Sequence, residues 1–523
     1  MEQMMIIAAQ MLFSLVFGAL FLVFARIFDA SVLKPRRLRS AIVKQGIRGP
    51  VPSNLYGNIP EMKRIAESQK PMEKNSAEKM IHDWFLVVFP HLEQWRNEYG
   101  STFLYSTGTI QFLCITDAEM VKEMSLCTSL NLGKPSYLST ERGPLLGRGI
   151  LSSNGPYWAH QRKIIAPEFY LERVKGMVSL MVESTKAMLK TWEKKMEDSG
   201  GKVEIMVDED FRSLSADIIS RVCFGRIYVV GEKIFSQLQS LQRLMSKGSI
   251  GVPGMRHLPT KHNRELWRLE REIDSMILGV VQSRNSDDDN DKKDLLQLLL
   301  AAAENEGDDS KNIPADMTPS KFIVDNCKNI YLAGHETTSI SASWCLMMLA
   351  AHPDWQARAR EEVLEICGMN MPTSDVLRNM KVLDMVIQET LRLYPLVAYV
   401  VREALQDIHF KGLNIPREAT IQVPIPRMHQ DRALWGSDAH QFKPERFGNG
   451  VSGACKIPQA YMPFGYGSRT CAGHHFAMAE LKVILSLILS KFRCSLSPAY
   501  HHSPVFRLAI QPQHGVCILL QKL

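Results

Sequence analysis

The sequence of 523 residues lacks the motifs of several large protein classes. None of its ten cysteines belongs to a C-x-x-C pair, which excludes zinc-ribbon and thioredoxin-like sites. No N-x-S/T glycosylation sequon occurs, which agrees with a protein body that stays in the reducing cytosol. The chain also has neither G-x-G-x-x-G nor a P-loop, so it carries no motif for binding a dinucleotide or a nucleoside triphosphate.

The chain has little net charge for its length. Its 62 basic and 55 acidic residues leave a formal charge of +7, and 45% of the residues are hydrophobic. This is the composition of a globular protein with a sizeable core, and it does not favour a nucleic-acid-binding function. The length fits two or three average domains or one large domain.

Most of the chain has the hydrophobic periodicity of helices. The alternation over residues 102–116, which Thr107 and Gly108 interrupt, predicts a β-hairpin. Residues 287–293 and 304–312 are polar and poorly patterned, and we interpret them as solvated surface loops. The sequence therefore predicts a mainly α fold with a smaller β region and no internal repeat.

Charge is absent from residues 4–24, a run that is long enough as a helix to cross a hydrocarbon layer of about 30 Å. A cleaved signal peptide is the alternative. Against it, the start has Glu2 and no basic residue, the apolar run is longer than an h-region, and no convincing A-x-A site follows. The sequence therefore favours a membrane anchor.

Basic residues follow this apolar run, and the positive-inside rule then places the body of the protein in the cytosol. They are Arg26, Lys34, Arg36, Arg37, Arg39, Lys44 and Arg48. The prolines in residues 49–52 form a stiff connector, since each fixes φ and keeps the preceding residue extended. We predict a single-pass transmembrane signal anchor over residues 1–25, a basic, proline-containing hinge over 26–60, and one large domain over 61–523.

Residues 464–473 form a loop with glycines on both sides of one cysteine, and an apolar helix follows at once. Gly465, Gly467 and Gly473 lack Cβ atoms, so the backbone can turn tightly, approach a flat ligand and direct N–H groups at the Cys471 sulfur. Such donors, a metal and the start of a helix all favour the thiolate. An isolated cysteine is more often a small buried residue, but the spacing around Cys471 argues against that interpretation.

The pattern formed by Phe464, Gly467, Arg469, Cys471 and Gly473 resembles the heme-binding signature of the cytochrome P450 superfamily. The resemblance implies a cytochrome P450 fold with heme b as the cofactor. It implies that Cys471 is the axial ligand of the heme iron, that Arg469 pairs with a heme propionate, and that Phe464 lies beside the cofactor.

Trp158 and Arg162 lie one helical turn apart, where both side chains reach one anionic group. By itself such a pair is usually core edge and surface. The resemblance implies that both residues bind a heme propionate. It also implies a propionate-binding role for Arg402, which follows the apolar residues 396–401.

A long helix is predicted from Pro319 to about Ala351, with Thr318 as its N-cap. It must end before Pro353. A helix of this length spans roughly 50 Å, which is enough to cross a whole globular domain.

Residues 333–338 within this helix read A-G-H-E-T-T. A glycine inside a helix costs about 1 kcal/mol, so Gly334 indicates the close approach of something flat or a local opening of the helix. A zinc-protease motif is excluded, because Ser339 stands where H-E-x-x-H requires histidine. The stretch resembles the oxygen-activating groove of the P450 family, which implies that Glu336 and Thr337 relay protons during catalysis.

Glu389 and Arg392 have the i, i+3 spacing of many surface ion pairs, which is worth only about 0.3 kcal/mol. Their order in the chain, followed by P-E-R-F at residues 444–447, resembles the E-x-x-R and P-E-R-F elements of the family. The resemblance implies a structural ion network of Glu389, Arg392 and Arg446 that stabilises the fold without a catalytic step.

The resemblance implies a monooxygenase that oxidises an apolar substrate. Its electrons come from NADPH through a separate NADPH-cytochrome P450 reductase, and the protein sits in the endoplasmic reticulum membrane with its catalytic domain facing the cytosol. A reductase-independent heme-thiolate isomerase or dehydratase is a rival, although such enzymes tend to lose the threonine that Thr337 matches. A noncatalytic heme- or ligand-binding protein is a second rival.

The plant group of P450 enzymes that oxidises gibberellins and related terpenoid acids is similar to this chain in four segments, residues 130–134, 152–169, 324–338 and 502–516. Residues 396–401 and 504–506 are apolar, as a pocket for a rigid polycyclic skeleton requires. We therefore predict hydroxylation or epoxidation of a gibberellin or an ent-kaurenoid precursor. Oxidation of a pentacyclic triterpenoid acid is the alternative.

Overall fold

The structure is a computed structural model, and the residues it describes are 2–53, 55–68, 82–224, 228–246, 258–285, 295–304, 313–368 and 370–523. The polar run at residues 287–293 lies outside the described residues. So does the run at 304–312, apart from Glu304, which ends a helix. The prediction that both runs are loops therefore stays a prediction.

Helices make up most of the described chain. They are α1 (Glu2–Phe28), α2 (Lys34–Val43), α3 (Ile59–Ser68), α4 (Phe85–Val88), α5 (Pro90–Tyr99), α6 (Ala118–Leu126), α7 (Ser136–Thr140), α8 (Gly143–Leu146), α9 (Gly155–Ile165), α10 (Leu171–Lys175), α11 (Val178–Asp198), α12 (Val207–Phe224), α13 (Tyr228–Ser246), α14 (Lys261–Asn285), α15 (Leu295–Glu304), α16 (Pro319–Ala351), α17 (Pro353–Cys367), α18 (Ser374–Asn379), α19 (Lys381–Leu393), α20 (Ile425–His429), α21 (Arg432–Trp435), α22 (Gly450–Ala454) and α23 (His474–Leu489).

The strands form small sheets at the sides of the helical body. They are β1 (Thr102–Thr107), β2 (Ile110–Ile115), β3 (Leu132–Gly133), β4 (Lys202–Met206), β5 (Tyr399–Ala404), β6 (Ile408–Phe410), β7 (Leu413–Ile415), β8 (Thr420–Pro424), β9 (Phe492–Leu496), β10 (Pro504–Phe506), β11 (Ile510–Pro512) and β12 (Cys517–Lys522). The largest sheet has the order β1-β2-β8-β5-β3, in which β2 and β8 are parallel. The predicted hairpin is confirmed, since β1 and β2 pair antiparallel from Thr102 opposite Ile115 to Thr107 opposite Ile110. A mainly α fold with a smaller β region is likewise confirmed.

The long helix α16 lies at the centre of the larger hydrophobic core and has the predicted bounds. The Thr318 hydroxyl caps it by accepting a hydrogen bond from the Lys321 N–H at 3.2 Å. Most of its side chains are buried, and it packs against α12, α15 and α23. The helix therefore connects elements that are far apart in the sequence.

Gly334 in the middle of α16 lies against a second helix. The helix continues through it without interruption. A Cβ atom built at Gly334 would lie 2.6 Å from Cγ1 and from Cδ1 of Ile219 in α12. The prediction that the helix opens locally here is wrong, and in the structure the glycine permits the close packing of two helices. The predicted close approach of something flat stays a prediction.

The predicted hinge packs on the body of the protein. Ile42 in α2 is fully buried in the smaller hydrophobic core, which covers the five-stranded sheet. The Arg39 guanidinium donates to the Pro50 carbonyl at 2.7 Å, and the Leu104 N–H in β1 donates to the Arg48 carbonyl at 2.9 Å. The connector is thus held against the sheet edge by hydrogen bonds.

The one candidate membrane span among the described residues is the helical run Met5–Val43, which contains most of α1. It is long and apolar enough to cross a bilayer, and no part of its most apolar stretch is buried against the protein. An apolar surface of this size is unstable in water, so it requires a lipid or protein environment.

Candidate active site

In the loop of residues 464–473, Cys471 lies between a 3₁₀ turn, Gly467–Arg469, and the start of α23. The Cys471 N–H donates to the Phe464 carbonyl at 2.9 Å, which closes the loop. Gly465 and Gly467 have φ angles of 77° and 68°, in the left-handed region that side chains with a Cβ avoid. The predicted need for glycine at these two positions is confirmed.

Gly473 does not share this backbone conformation. Its φ of −88° is open to any residue, and a Cβ built there would lie 4.0 Å from the Cys471 sulfur, an ordinary contact. Its backbone conformation therefore does not depend on the absence of a Cβ. Its N–H nevertheless donates to the Cys471 sulfur and favours the thiolate.

The Cys471 side chain is accessible from outside, yet protein surrounds it. A side chain on the wall of a deep recess combines this accessibility with dense protein surroundings. Burial raises the pKa of the thiol, while the Gly473 N–H and the positive charge of Arg162 act in the opposite direction. A cation bound at the sulfur would complete the stabilisation of the thiolate.

The predicted partners of the cofactor surround this loop. The Arg162 guanidinium in α9 donates to the Thr470 carbonyl at 2.7 Å, directly before Cys471. The Arg469 guanidinium stacks over the Trp158 ring at 4.2 Å from its centroid. The pair predicted one turn apart on α9 therefore contacts the cysteine loop from one side.

Arg402 in β5 approaches the same loop from the sheet. Its guanidinium donates to the Tyr466 carbonyl at 3.4 Å and lies 5.3 Å from the centre of the Tyr466 ring. The side chain is almost fully buried, and burial lowers the pKa of the guanidinium. The structure thus brings every predicted cofactor-binding residue to one loop.

Several positively charged side chains lie close together at this loop, and their charges repel one another. Burial lowers the pKa of Arg469 to about 9, and the charges of Arg402 and Arg162 contribute in the same direction. Lys134 was not among the predicted cofactor-binding residues. Burial, followed by the charges of Arg402 and Arg469, lowers its pKa to about 7. Such a cluster is costly unless an anion joins it. The recess therefore fits a ligand that carries more than one negative charge.

The predicted catalytic pair lies at the middle of α16. The Thr337 hydroxyl donates to the Ala333 carbonyl at 2.6 Å, and its lone pairs still accept hydrogen bonds. Burial raises the pKa of Glu336, while Arg212 and Arg243 oppose the shift. Arg212 in α12, which the sequence did not indicate, has its Nε 4.0 Å from a Glu336 carboxylate oxygen.

A buried carboxyl connects α16 with the helix that follows the cysteine loop. Glu480 in α23 is fully buried and accepts a hydrogen bond from the Ser215 hydroxyl in α12 at 2.7 Å. Burial raises its pKa to about 8, and a hydrogen bond with Thr338 opposes the shift. Glu480 therefore keeps its proton to a higher pH than an exposed glutamate. Only the three-dimensional packing reveals this group, since its sequence neighbours are apolar.

The predicted ion network is also assembled. Arg392 makes two hydrogen bonds to Glu389, at 2.6 and 2.7 Å, and both side chains are fully buried. Arg446 lies with its Nε 3.5 Å from the same carboxylate. The guanidinium of Arg392 also donates to carbonyls of a distant segment, those of His429, Ala439 and Gln441.

Comparison with known proteins identifies the family. A family model described as Cytochrome P450 matches residues 87–516. The chain belongs to the cytochrome P450 family. This P450 is 51% identical to Cytochrome P450 714C2 of Oryza sativa subsp. japonica over 509 residues, which cover 96% of each protein. It is 43% identical to Cytochrome P450 714A2 of Arabidopsis thaliana over 527 residues, 99% of each protein.

Comparison with a solved structure confirms the cytochrome P450 fold. The crystal structure of the cytochrome P450DA heme domain superposes with a TM-score of 0.70 at 25% identity, covering 83% of this chain and 93% of that one. This P450 is therefore a monooxygenase that uses heme iron and NADPH-derived electrons from a redox partner.

The recess fits heme. Cys471 would supply a sulfur ligand of the kind that P450 iron takes, and a backbone donor and Arg162 favour its thiolate. The two propionates of heme would match the charge of this cluster of cations. Trp158 beneath Arg469 fixes the direction of that guanidinium. We assign the cluster of Arg162, Arg402, Arg469 and Lys134 to the cofactor carboxylates.

Proposed function

We propose that this P450 is a membrane-anchored monooxygenase that hydroxylates or epoxidises a plant diterpenoid acid, such as a gibberellin or an ent-kaurenoid precursor. The observation that carries the reaction class is the Cys471 loop with the arginines that surround it. The substrate class rests on the similarity of the four segments named above and on an apolar lining. Rings of Phe89, Tyr399 and Phe506 lie 5.4 to 5.8 Å apart, centre to centre.

This aromatic cluster suits a rigid polycyclic substrate. Phe506 in β10 and Val397 before β5 expose part of their apolar surface, while Phe89 is buried and Tyr399 is partly buried. Apolar side chains on short strands change shape little, so they favour a rigid ligand over a flexible one.

Heme, when bound, supplies the redox chemistry by which dioxygen is activated for insertion into a C–H or C=C bond. The protein would hold the cofactor through the Cys471 sulfur, and its arginines would orient the propionates. The apolar lining binds the substrate and excludes water. The remaining function of the protein is proton delivery within the active site.

We assign this delivery to Glu336 and Thr337. Burial raises the pKa of Glu336, so this carboxyl keeps its proton to a higher pH than an exposed glutamate and serves as a donor nearer neutrality. The Thr337 hydroxyl is both a donor and an acceptor, and it therefore passes a proton without holding a charge. Arg212 limits the rise in the Glu336 pKa, which keeps the group able to lose its proton.

The variant Thr337→Ala is expected to bind heme and substrate like the wild type but to lose product formation on the order of 10²-fold, with NADPH consumed to form hydrogen peroxide. The alanine removes the hydroxyl and leaves Cys471 unchanged. Product, NADPH and peroxide are measured together in reconstituted microsomes. Thr337→Ser, which keeps the hydroxyl, should restore coupling. Thr185→Ala is the matched control, because Thr185 makes the same bond to its own helix at 2.7 Å in α11. Unchanged coupling in Thr337→Ala would remove this residue from the relay.

We place the catalytic body on the cytosolic face of the endoplasmic reticulum, with α1 as a single-pass anchor. The apolar surface of α1 supports the anchor, and the basic residues that follow it support the orientation. The electron donor is then the NADPH-cytochrome P450 reductase of the same membrane.

Deletion of residues 1–24 is expected to leave a heme-containing protein that no longer sediments firmly with membranes. The reason is that α1 makes no buried contact with the body over its most apolar stretch. Sedimentation of microsomes in high salt, followed by detection in the pellet and the supernatant, checks this result. Tight association of the shortened protein would assign the anchor to another surface.

The substrate class is tested by binding and competition. A gibberellin added to the ferric enzyme is expected to change the heme spin state, and an excess of an oleanane acid should not displace it. A spin-state change with the oleanane acid alone would overturn the diterpenoid assignment and favour a pentacyclic triterpenoid acid. The assignment to the monooxygenase class would remain.

A further inference from the structure

The N-terminal half of α16 buries four polar side chains that the proposed mechanism does not use. Asp325, Asn326, Lys328 and Asn329 are all fully inaccessible. Burying such groups is costly unless each has a partner, so their hydrogen bonds indicate what they do. Their partners lie largely in one segment, residues 143–154, which we call the strap.

Asn329 holds the strap at two points. Its Oδ1 accepts a hydrogen bond from the Leu151 N–H at 2.8 Å, and its Nδ2 donates to the Leu146 carbonyl at 2.7 Å. The side chain and the strap are in close contact here, since a Cβ built at Gly149 would lie 2.6 Å from the Asn329 Oδ1. One carboxamide therefore fixes both the position and the direction of the strap backbone.

The two side chains one turn earlier continue this contact. The Asp325 carboxylate accepts from the Arg148 N–H at 2.8 Å, and the Asn326 Oδ1 accepts from the Ile150 N–H at 3.1 Å. A Cβ at Gly147 would lie 2.1 Å from an Asp325 oxygen, and the Gly147 φ of 53° disfavours any other residue. The backbone of the strap therefore runs along the polar face of α16.

Charges fix this polar face in turn. The fully buried Lys328 ammonium lies 3.5 Å from Asp325 and 3.0 Å from Asp274 in α14. Lys321 lies 3.2 Å from the same Asp325 oxygen. Because buried ion pairs of this kind lose much stability when one partner is removed, the carboxylate that holds the strap has little freedom to move.

The far end of the strap reaches the cation cluster. The Ser153 carbonyl accepts from Arg469 at 3.0 Å, and the Asn154 Oδ1 accepts from the other nitrogen of the same guanidinium at 2.8 Å. The Asn154 side chain also bonds the backbone of Lys134 in both directions, at 2.6 and 2.8 Å. The strap then leads directly into α9, which carries Trp158.

We infer that Asp325, Asn326 and Asn329 are positioning residues for cofactor retention, which act through the strap on the residues that hold the heme propionates. They set the place of Asn154, and hence of Arg469, and the start of α9. Displacement of the strap therefore loosens several cofactor contacts at once, although no cofactor ligand has changed.

The test is the rate at which ferric heme transfers from the full-length holoenzyme to excess apomyoglobin. Asn329→Leu removes both bonds to the strap and keeps a side chain of similar size. We expect it to release heme at least about tenfold faster than the wild type, as is typical when the groups that support a ligand are removed. Asn154→Ala should also accelerate release. The double variant should be less than additive, because both changes act through the strap.

Gln356→Leu is the matched control. Gln356 is buried, and its carboxamide also holds a backbone segment at two points, accepting from the Cys494 N–H at 3.0 Å and donating to the Cys494 carbonyl at 2.7 Å. This segment is part of β9, away from the cysteine loop. We expect Gln356→Leu to lower the thermal midpoint like Asn329→Leu while releasing heme at the wild-type rate.

Equal heme release by Asn329→Leu and Gln356→Leu at equal loss of thermal stability would overturn the inference, as would a wild-type rate in Asn329→Leu. If Asn329→Leu does not accumulate as folded protein, Asn329→Asp replaces it. The aspartate still accepts from Leu151 but loses the donor to Leu146. It is expected to release heme faster than the wild type, and an unchanged rate would contradict the proposed role.

Discussion

Replacement of Cys471 by serine is expected to abolish the thiolate-type absorption of the reduced carbon monoxide complex and to reduce product formation to background. The serine hydroxyl is nearly the size of the thiol but stays protonated, so it cannot supply the thiolate that defines P450 iron. The surrounding contacts are unaffected, because the Phe464 carbonyl and the Gly473 N–H belong to the backbone. Difference spectroscopy of dithionite-reduced samples with carbon monoxide measures the effect.

Cys517→Ser is the control for this experiment. Cys517 lies in β12, where its thiol contacts the Glu204 carboxylate at 3.0 Å. Its replacement should leave the carbon monoxide spectrum and the turnover unchanged. Retention of the thiolate-type spectrum in Cys471→Ser would assign the iron ligand to another residue and refute the site as described here.

Arg392→Ala is expected to lower the free energy of unfolding by about 3–5 kcal/mol, the typical cost of removing one partner of a buried ion pair. The variant leaves the Glu389 carboxylate fully buried with its pKa already raised by burial, and it leaves three backbone carbonyls without their donor. Urea unfolding of the holoprotein, followed by circular dichroism and by the heme absorption, measures the loss. Much of the variant should be recovered without heme.

Two further variants make this prediction specific. Arg392→Lys keeps the charge but loses the planar group that bonds Glu389 twice, so it should recover only part of the stability. Arg358→Ala removes an exposed guanidinium that stacks on Trp355 at 3.9 Å, and it should cost about 0.5–1 kcal/mol. A wild-type urea midpoint for Arg392→Ala would show that the network does not stabilise the fold.

Local signals in the sequence were sufficient for several elements. The bounds of α16 follow from Thr318 and Pro319 at its start and from Pro353 after its end, and each of these residues acts on backbone within one turn of itself. The hairpin of β1 and β2 follows from alternation around Thr107 and Gly108. The cysteine loop is likewise local, since its glycines and its sulfur are adjacent in the chain.

Features that depend on distant partners could not be predicted in this way. Gly334 reads as a weak point of a helix until Ile219, more than a hundred residues earlier, is seen beside it. Glu480 lies in an apolar helix, and nothing near it in the sequence indicates that Ser215 accompanies it. Lys134 becomes informative only when Arg402 and Arg469 surround it. The pairing of β2 with β8 is equally nonlocal, and it completes the sheet that carries Arg402.

Product analysis in microsomes under ¹⁸O₂ tests the proposed function most directly. The full-length protein is expressed with an NADPH-cytochrome P450 reductase, and a gibberellin, an ent-kaurenoid acid and an oleanane acid are supplied separately. The proposal predicts that a diterpenoid acid gains one ¹⁸O atom, only when NADPH and the reductase are present. Turnover without NADPH, or a product without ¹⁸O, would contradict the monooxygenase function, and conversion of the oleanane acid alone would contradict the diterpenoid substrate.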